Sequence, residues 1–235
     1  MTSRIFCSMS RRSASAARWV ETLASVQGVP LLDVVDVLLE CMAEDHPVPS
    51  YSSSIRSGMG SVLNRILDEG GSAYRVNESL DGLEERVSAS MRDAVRQTPA
   101  DASRSPAADH LAAAWKAAYG RNPEPERAYS EAIKAVESAA HAIVEPNNTK
   151  ATLGTMLRAI RNAPTRFDTV LFAPAGKEPI TPVEAMMRAL WEGQTSRHGA
   201  QTGTVPETLE SARAGVHLAA ALVQWITSGA VSRKP

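Results

Sequence analysis

Apolar residues recur at intervals of three and four along much of the chain, which is the spacing of one face of an α-helix. The clearest early case is VPLLDVVDVLLECMAE (29–44), in which acidic residues occupy the intervening positions. The same periodicity predicts helices over 14–27, 55–67 and 88–98, while the Pro- and Ser-rich HPVPSYSSS (46–54) predicts a loop. The turn-like NESLDG lies between SAYRV and LEERV, and this arrangement predicts a short β-hairpin.

The helical pattern continues in the second half of the chain. Helices are predicted over HLAAAWKAAYG (110–120), over the segment 122–146 with Asn122 as N-cap, and over NTKATLGTMLRAIRN (148–162). TPVE (181–184) and TVPE (204–207) have the form of a capping box, and each predicts the start of a further helix. The last of these helices runs to Gly229. Between the helix predicted over 148–162 and the helix that begins at TPVE, DTVLFA (168–173) predicts a brief extended piece.

These elements predict an all-α protein: a helical N-terminal part with a short β-hairpin, followed by a helical bundle. TPADASRSP (98–106) has the composition of a linker. The predicted domains are therefore 1–100, for which no motif assigns a role, and 107–230.

Composition excludes several classes of protein. The formal net charge is −1, so the chain is not a basic nucleic-acid-binding domain as a whole. Any RNA contact therefore requires a local patch of positive charge. Two cysteines in 235 residues do not indicate a disulfide scaffold, and they predict reduced thiols in a reducing compartment. No apolar stretch reaches the length of a bilayer span. The sequence predicts a cytoplasmic protein with no membrane contact, no metal site and no cofactor.

The polar loop QTSRHGAQTG (194–203) joins the last two predicted helices and contains Arg197 and His198. An accessible histidine can act as a general acid or base, and a neighbouring guanidinium can bind a phosphate. Together they suit metal-independent RNA cleavage, in which the ribose 2′-hydroxyl is the nucleophile. The alternative is that both side chains only solvate and cap the preceding helix.

A second candidate is the segment NNTKATLGTMLRAIRNAPTRF (147–167), which has no acidic residue. Its cations form a candidate RNA-binding surface and are Lys150, Arg158, Arg161 and Arg166. Arg158 and Arg161 are neighbours on one face of the predicted helix. The alternative is a solvated helix face that pairs with Glu131 and Glu137 of the preceding helix. On the last helix, His217 either faces His198 across a site or is a hydrogen-bonded core residue.

The second half also resembles a known family. The resemblance rests on AYSEAIKAVESAA (128–140), NTKATLGTMLRAI (148–160), RHG (197–199) and ARAGVHLAAALVQWITSG (212–229), in that order. This set is similar to the abortive-infection C-terminal family, a helical module of the HEPN class, over roughly residues 107–230.

The resemblance implies a helical bundle that forms a homodimer and acts in bacterial anti-phage defence. Many members of the class cleave RNA without a metal, using an arginine and a histidine, and His198 matches that histidine. The family's Arg-Asn pair, about seven residues before the His-Gly, is replaced here by Trp191 and Glu192. Arg188, one turn earlier, and Arg197 are the two candidate substitutes.

Two functions follow as expectations. The first is an anti-phage effector that binds RNA and cleaves it as a metal-independent endoribonuclease. The second is a non-catalytic module that dimerises or senses a phage protein. The small residues Ala212, Ala219 and Ala220 on the last helix permit close helix contact, which favours a homodimer in either case.

Overall fold

The computed structural model describes residues 29–44, 51–87, 105–196 and 205–234. Over these residues the chain is mostly α-helical, and it divides into two compact units, residues 1–86 and 87–235. The helices predicted over 14–27 and 88–98 lie outside the described residues. The predicted linker (98–106) also lies outside them apart from its last two residues, so the predicted domain boundary stays a prediction.

The described part of the first unit contains two helices and a hairpin. Helix α1 spans Val29–Glu44 and α2 spans Tyr51–Glu69. Strands β1 (Tyr74–Val76) and β2 (Leu83–Glu85) pair antiparallel, with Val76 opposite Leu83, which confirms the predicted hairpin. Helix α2 begins four residues earlier than predicted. The YSSS stretch was assigned to a loop, but serine is well accommodated in a first helical turn, and the prolines lie before it.

Two side chains attach the hairpin to the helices. The core of this unit consists of Leu39, Leu67, Val76 and Leu83. The Asp36 carboxylate accepts a 2.6 Å hydrogen bond from the Leu83 N–H, and the Asn64 side-chain oxygen accepts one of 2.8 Å from the Val76 N–H. Each helix therefore satisfies one backbone donor of the hairpin, which a two-stranded sheet cannot do alone.

The oxidation state of the cysteine in α1 differs from the prediction. Cys41 of α1 is disulfide-bonded. The low cysteine count pointed to reduced thiols, and for Cys41 that expectation is wrong, because a count of two still permits one bond.

The described part of the second unit contains five α-helices and two short strands. The helices are α3 (Pro106–Tyr119), α4 (Pro125–Val144), α5 (Leu153–Asn162), α6 (Thr181–Glu192) and α7 (Leu209–Thr227). A 3₁₀ turn (Pro164–Arg166) leads into β3 (Phe167–Thr169), which pairs antiparallel with β4 (Val231–Arg233). Of the extended piece predicted over 168–173, only Asp168 and Thr169 belong to the strand, and the rest of it is not extended into a sheet. Strand β4 was not predicted because three residues carry too little pattern.

Helix α4 is the centre of this unit. It packs against α3, α5, α6 and α7. Its buried face is rich in alanine, and Ala128, Ala132 and Ala135 are fully buried. Short side chains let neighbouring helices approach closely on several sides. The three alanines of α7 that favoured a homodimer, Ala212, Ala219 and Ala220, are likewise buried in this core, so they provide no external dimer surface.

The predicted caps of three helices are wrong. Helix α4 has Glu124 rather than Asn122 at its N-cap, with no side-chain cap. Helix α6 begins at Thr181, which was predicted to be its cap. Its N-cap is instead the buried Ile180, which has helical backbone angles. Its Glu184 pairs with Arg188 instead of closing a capping box.

Helix α7 starts later than TVPE predicts. Its cap is Thr208, whose hydroxyl accepts a 3.1 Å hydrogen bond from the Ser211 N–H. Glu207, the expected end of the capping box, is instead buried against the preceding loop. In both capping boxes the glutamate has another partner: Glu184 pairs with Arg188 of its own helix, and Glu207 with Ser196. None of the described helices combines the length and apolarity needed to cross a bilayer.

Tyr129 of α4 fixes how closely α6 and α7 approach. A Cβ atom at Gly193, after α6, would lie 2.1 Å from the Tyr129 hydroxyl oxygen. A Cβ atom at Gly215 of α7 would lie 3.0 Å from the Tyr129 ring. Gly193 has φ −70° and ψ −12°, which alanine adopts without strain, so only the contact requires glycine there.

We expect Gly193→Ala to lower the free energy of unfolding by about 1–3 kcal/mol, because the new methyl group overlaps the Tyr129 hydroxyl. Tyr129→Phe removes that oxygen and should reduce the cost of Gly193→Ala. Urea unfolding of the two single variants and the double variant measures this coupling. An equal cost of Gly193→Ala in both backgrounds would show that the hydroxyl is not the obstacle.

Candidate functional site

A cavity of about 540 Å³ lies between α4, α5 and α6 of the second unit. It brings together three of the sequence-predicted site residues: Arg158 and Arg161 on α5 and Arg188 on α6. Trp191 and Glu137 also line it, and neither was a predicted site residue. Its volume is within the range of small-molecule sites in proteins.

Arg158 and Arg161 are one turn apart on α5 and both are exposed. Among the described residues, neither is within ion-pair distance of a carboxylate. Glu131 instead pairs with His110 (2.6 Å) and Lys134 (2.8 Å). The alternative that these arginines merely pair with the α4 glutamates is therefore wrong for the described residues, and both guanidinium groups remain able to bind an anion.

Arg188 is in a different situation. It forms an ion pair with Glu184 and a longer one, 3.8 Å, with Glu192. The hydrogen bond and charge of Glu184 raise the pKa of Arg188 above its ordinary value. Arg188 is therefore a fixed positive charge that cannot take part in proton transfer. Its two carboxylate partners hold it in place and offset part of its charge.

Trp191 lies against the first turn of α5. A Cβ atom at Gly154 would be 2.9 Å from the indole nitrogen and 3.2 Å from Cε2. Only glycine at this position allows the ring to approach so closely. From the sequence, Trp191 was noted only as one of the two residues that replace the family's Arg-Asn pair, and Gly154 only as part of the resemblance. The signal that could have indicated Trp191 is its spacing from Arg188, because residues three apart in a helix are neighbours on one face.

Glu137 links α4 to the start of α5. One carboxylate oxygen accepts a 2.6 Å hydrogen bond from the Leu153 N–H, at the first residue of α5. A carboxylate is favourable there because the N-terminus of a helix carries partial positive charge. Burial raises the pKa of Glu137, while the Leu153 N–H, Lys134 and His110 act in the opposite direction. Among the described residues, the second oxygen has no hydrogen-bond partner.

Lys150 and Arg166 do not line this cavity. Lys150 is exposed in the turn before α5, and Arg166 is exposed in the 3₁₀ turn after it. The four predicted RNA-binding cations are therefore divided, with two at the cavity and two beyond the ends of α5.

Arg197 and His198 lie outside the described residues. The chain on either side of them is held by two sets of hydrogen bonds. The Thr195 hydroxyl donates to the Val205 carbonyl (2.5 Å). One oxygen of Glu207 accepts from the N–H (2.9 Å) and hydroxyl (2.8 Å) of Ser196. Gln194, two residues earlier, lines the cavity, so the predicted catalytic pair follows it closely in sequence.

His217 is a half-buried, hydrogen-bonded histidine, which agrees with the second interpretation in its hydrogen bond. Its Nε2 lies 2.8 Å from the Tyr119 hydroxyl oxygen, and its ring meets Trp115 edge-on at 5.9 Å between centroids. Burial lowers the pKa of His217, which favours the neutral ring. It does not line the cavity.

The fold and the cavity thus define a mostly α-helical protein with an arginine-lined site. Comparison with known protein families, with curated proteins and with solved structures finds no match to this chain.

The buried Glu207 carboxylate predicts a pH-dependent stability. Burial alone would raise its pKa, but hydrogen bonds from Ser196 and the adjacent backbone outweigh burial and lower it. Its contribution is therefore complete above the unfolded pKa of about 4.3 and disappears as the pH falls through the lower folded value.

We expect Glu207→Ala to lower the free energy of unfolding by about 1–3 kcal/mol at pH 7, because the Ser196 donors lose their acceptor. Urea unfolding between pH 7 and pH 3 should show the difference from wild type shrinking as the pH falls. The exposed Glu210→Ala is the matched control and should change stability much less. A difference that stays constant with pH would contradict this role of the ionised carboxylate.

Proposed function

We propose that this protein is an RNA-directed effector of bacterial anti-phage defence and cleaves RNA as a metal-independent endoribonuclease. The observation that carries the proposal is the cavity that gathers Arg158, Arg161 and Arg188, two of them without a carboxylate partner among the described residues. The HEPN-like resemblance of the second half adds the defence role and the expected reaction.

The proposed chemistry divides into binding and proton transfer. Arg158 and Arg161 bind backbone phosphates, because a guanidinium offers paired donors that match phosphate oxygens. Arg188, held by its glutamates, stabilises charge that develops on the scissile phosphate. His198 takes the proton of the 2′-hydroxyl, whose oxygen attacks phosphorus while the bond from phosphorus to the 5′-oxygen breaks. The leaving 5′-oxygen takes a proton from water. Arg197 is the alternative phosphate-binding residue.

The second candidate is a non-catalytic module that dimerises or senses a phage protein. It is favoured by the ion pairs of Arg188 with Glu184 and Glu192, since a compensated guanidinium is a weaker phosphate ligand. Both candidates include a cytoplasmic location, where phage RNA is produced.

The first test is RNA cleavage by the purified full chain in EDTA. We expect wild type to cleave and His198→Ala to reduce the rate roughly 10²–10⁴-fold, because general acid–base catalysis is lost. Arg158→Ala should also weaken RNA binding and reduce the salt dependence of log K by about 0.7 for one lost phosphate contact.

Arg166→Ala is the matched control for Arg158→Ala, since it removes an exposed arginine that lies outside the cavity. An equal loss of binding in both variants would indicate diffuse attraction rather than a site. RNA binding without any cleavage would favour the non-catalytic candidate. Absence of RNA binding would refute the proposed function.

The proposal also includes a homodimer, formed through a surface other than the buried alanines of α7. Light scattering at micromolar concentration should give about twice the chain mass of 25.1 kDa. The mass of a single chain under these conditions would contradict the dimer.

A further inference from the structure

The loop that follows β3 exposes three consecutive large apolar side chains. Val170, Leu171 and Phe172 are 76%, 45% and 92% exposed, and Phe172 is the most exposed large hydrophobic residue in the described part of the chain. None of the three lines the arginine-lined cavity. A contiguous apolar group on a protein surface indicates contact with a partner or a membrane, whereas single exposed apolar residues need no explanation.

Hydrogen bonds close this loop at its base and on its far side. The Thr169 hydroxyl donates to the Pro179 carbonyl (3.2 Å), which ties the two ends of the loop together. Beyond the apolar residues, Gly176 has φ +80° and allows a turn in which the Lys177 N–H donates to the Pro174 carbonyl (3.0 Å). The apolar tip is therefore held by a closed loop, so that less conformational entropy is lost when the tip is bound.

The exposed charges around this tip all have one sign. In the segments 163–180 and 228–234, the exposed charged side chains are Arg166, Lys177, Arg233 and Lys234. The acidic residues of these segments, Asp168 and Glu178, are half-buried. Lys177 belongs to the loop, and the other three cations lie on the β3–β4 ribbon, where the Lys234 N–H donates to the Arg166 carbonyl (2.8 Å). Among the described residues, none of these four cations is within ion-pair distance of a carboxylate.

These charges decide between the occupants that could cover the tip. In an isologous dimer the same patch meets itself, so the cations of one copy would face those of the other, and like charges oppose association. RNA matches the cations, but Val170 and Leu171 offer no ring on which a base could stack. An anionic bilayer matches both features, because its headgroups attract lysine and arginine and apolar side chains enter the boundary with the acyl chains.

We propose that this loop docks the protein on the surface of an anionic membrane. Val170, Leu171 and Phe172 enter the interface, and the surrounding cations lie against lipid phosphates. The sequence predicts no membrane contact because no apolar stretch reaches the length of a span, and a loop that enters only the interface escapes that criterion. The docking is independent of the RNA cleavage proposed above, since it uses no residue of the cavity.

The test is flotation of the full chain with vesicles of phosphatidylcholine alone and with vesicles of an equimolar mixture of phosphatidylcholine and phosphatidylglycerol. We expect the chain to bind the mixed vesicles, and we expect this binding to weaken as salt is added, because salt screens exposed charges. Vesicles of phosphatidylcholine alone should bind much less protein. No binding to the mixed vesicles, or equal binding to both kinds, would overturn the proposal.

Phe172→Ser tests the apolar tip. The affinity for mixed vesicles should fall about tenfold or more, the effect of withdrawing one large apolar side chain from an apolar environment. Urea unfolding should be unchanged, because this side chain is 92% exposed. Val205→Ser is the matched control, since Val205 is 69% exposed but lies outside the loop, and it should leave the affinity intact. The same loss in both variants, or no loss in Phe172→Ser, would overturn the role of the tip.

Lys177→Ser tests the charge at the loop. One cation beside an anionic surface accounts for a change of about fivefold in affinity, so binding to mixed vesicles should fall by that factor. An unchanged affinity would contradict the assigned role of Lys177. Light scattering of Phe172→Ser tests the second copy as occupant. Loss of a dimer in this variant, in a protein that binds no vesicles, would show that a second copy covers the loop and would overturn the lipid assignment.

Discussion

The close packing of α4 against its neighbours is the constraint on which the second unit depends. Alanines along its buried face allow α3 and α7 to approach closely, so their larger side chains meet each other across the small ones. With α4 fixed in this way, α5 and α6 pack against its remaining surface. The cavity is the space left where these three helices do not fill the gap between them.

The helices could largely be predicted because their faces follow from spacing in the sequence. The same reasoning placed Arg158 and Arg161 on one face of α5, since residues three apart in a helix are neighbours. That step needs no knowledge of any other segment. Starts of helices were less predictable. Glu184 and Glu207 fit a local capping motif, but Glu184 pairs with Arg188 one turn along its own helix, and Glu207 accepts hydrogen bonds from Ser196 of the preceding segment.

The cavity itself was not predictable, because it depends on which residues of α5 and α6 face each other. Trp191 and Gly154 illustrate the difficulty. Each has an ordinary role in isolation, as an apolar helix residue and as a glycine in a helical first turn. Their role depends on the contact between them, and the two residues are separated by 36 others in the sequence. Glu137 was considered only as a partner for arginines, and its actual partner is a backbone N–H.

The Glu137 carboxylate has a consequence for how the site and the fold are connected. The same group accepts the first backbone donor of α5 and borders the cavity. By thermodynamic linkage, whatever is bound there and the local opening of the first turn of α5 oppose each other. A ligand that binds only while this turn is intact would reduce its fraying, because binding and opening are linked equilibria.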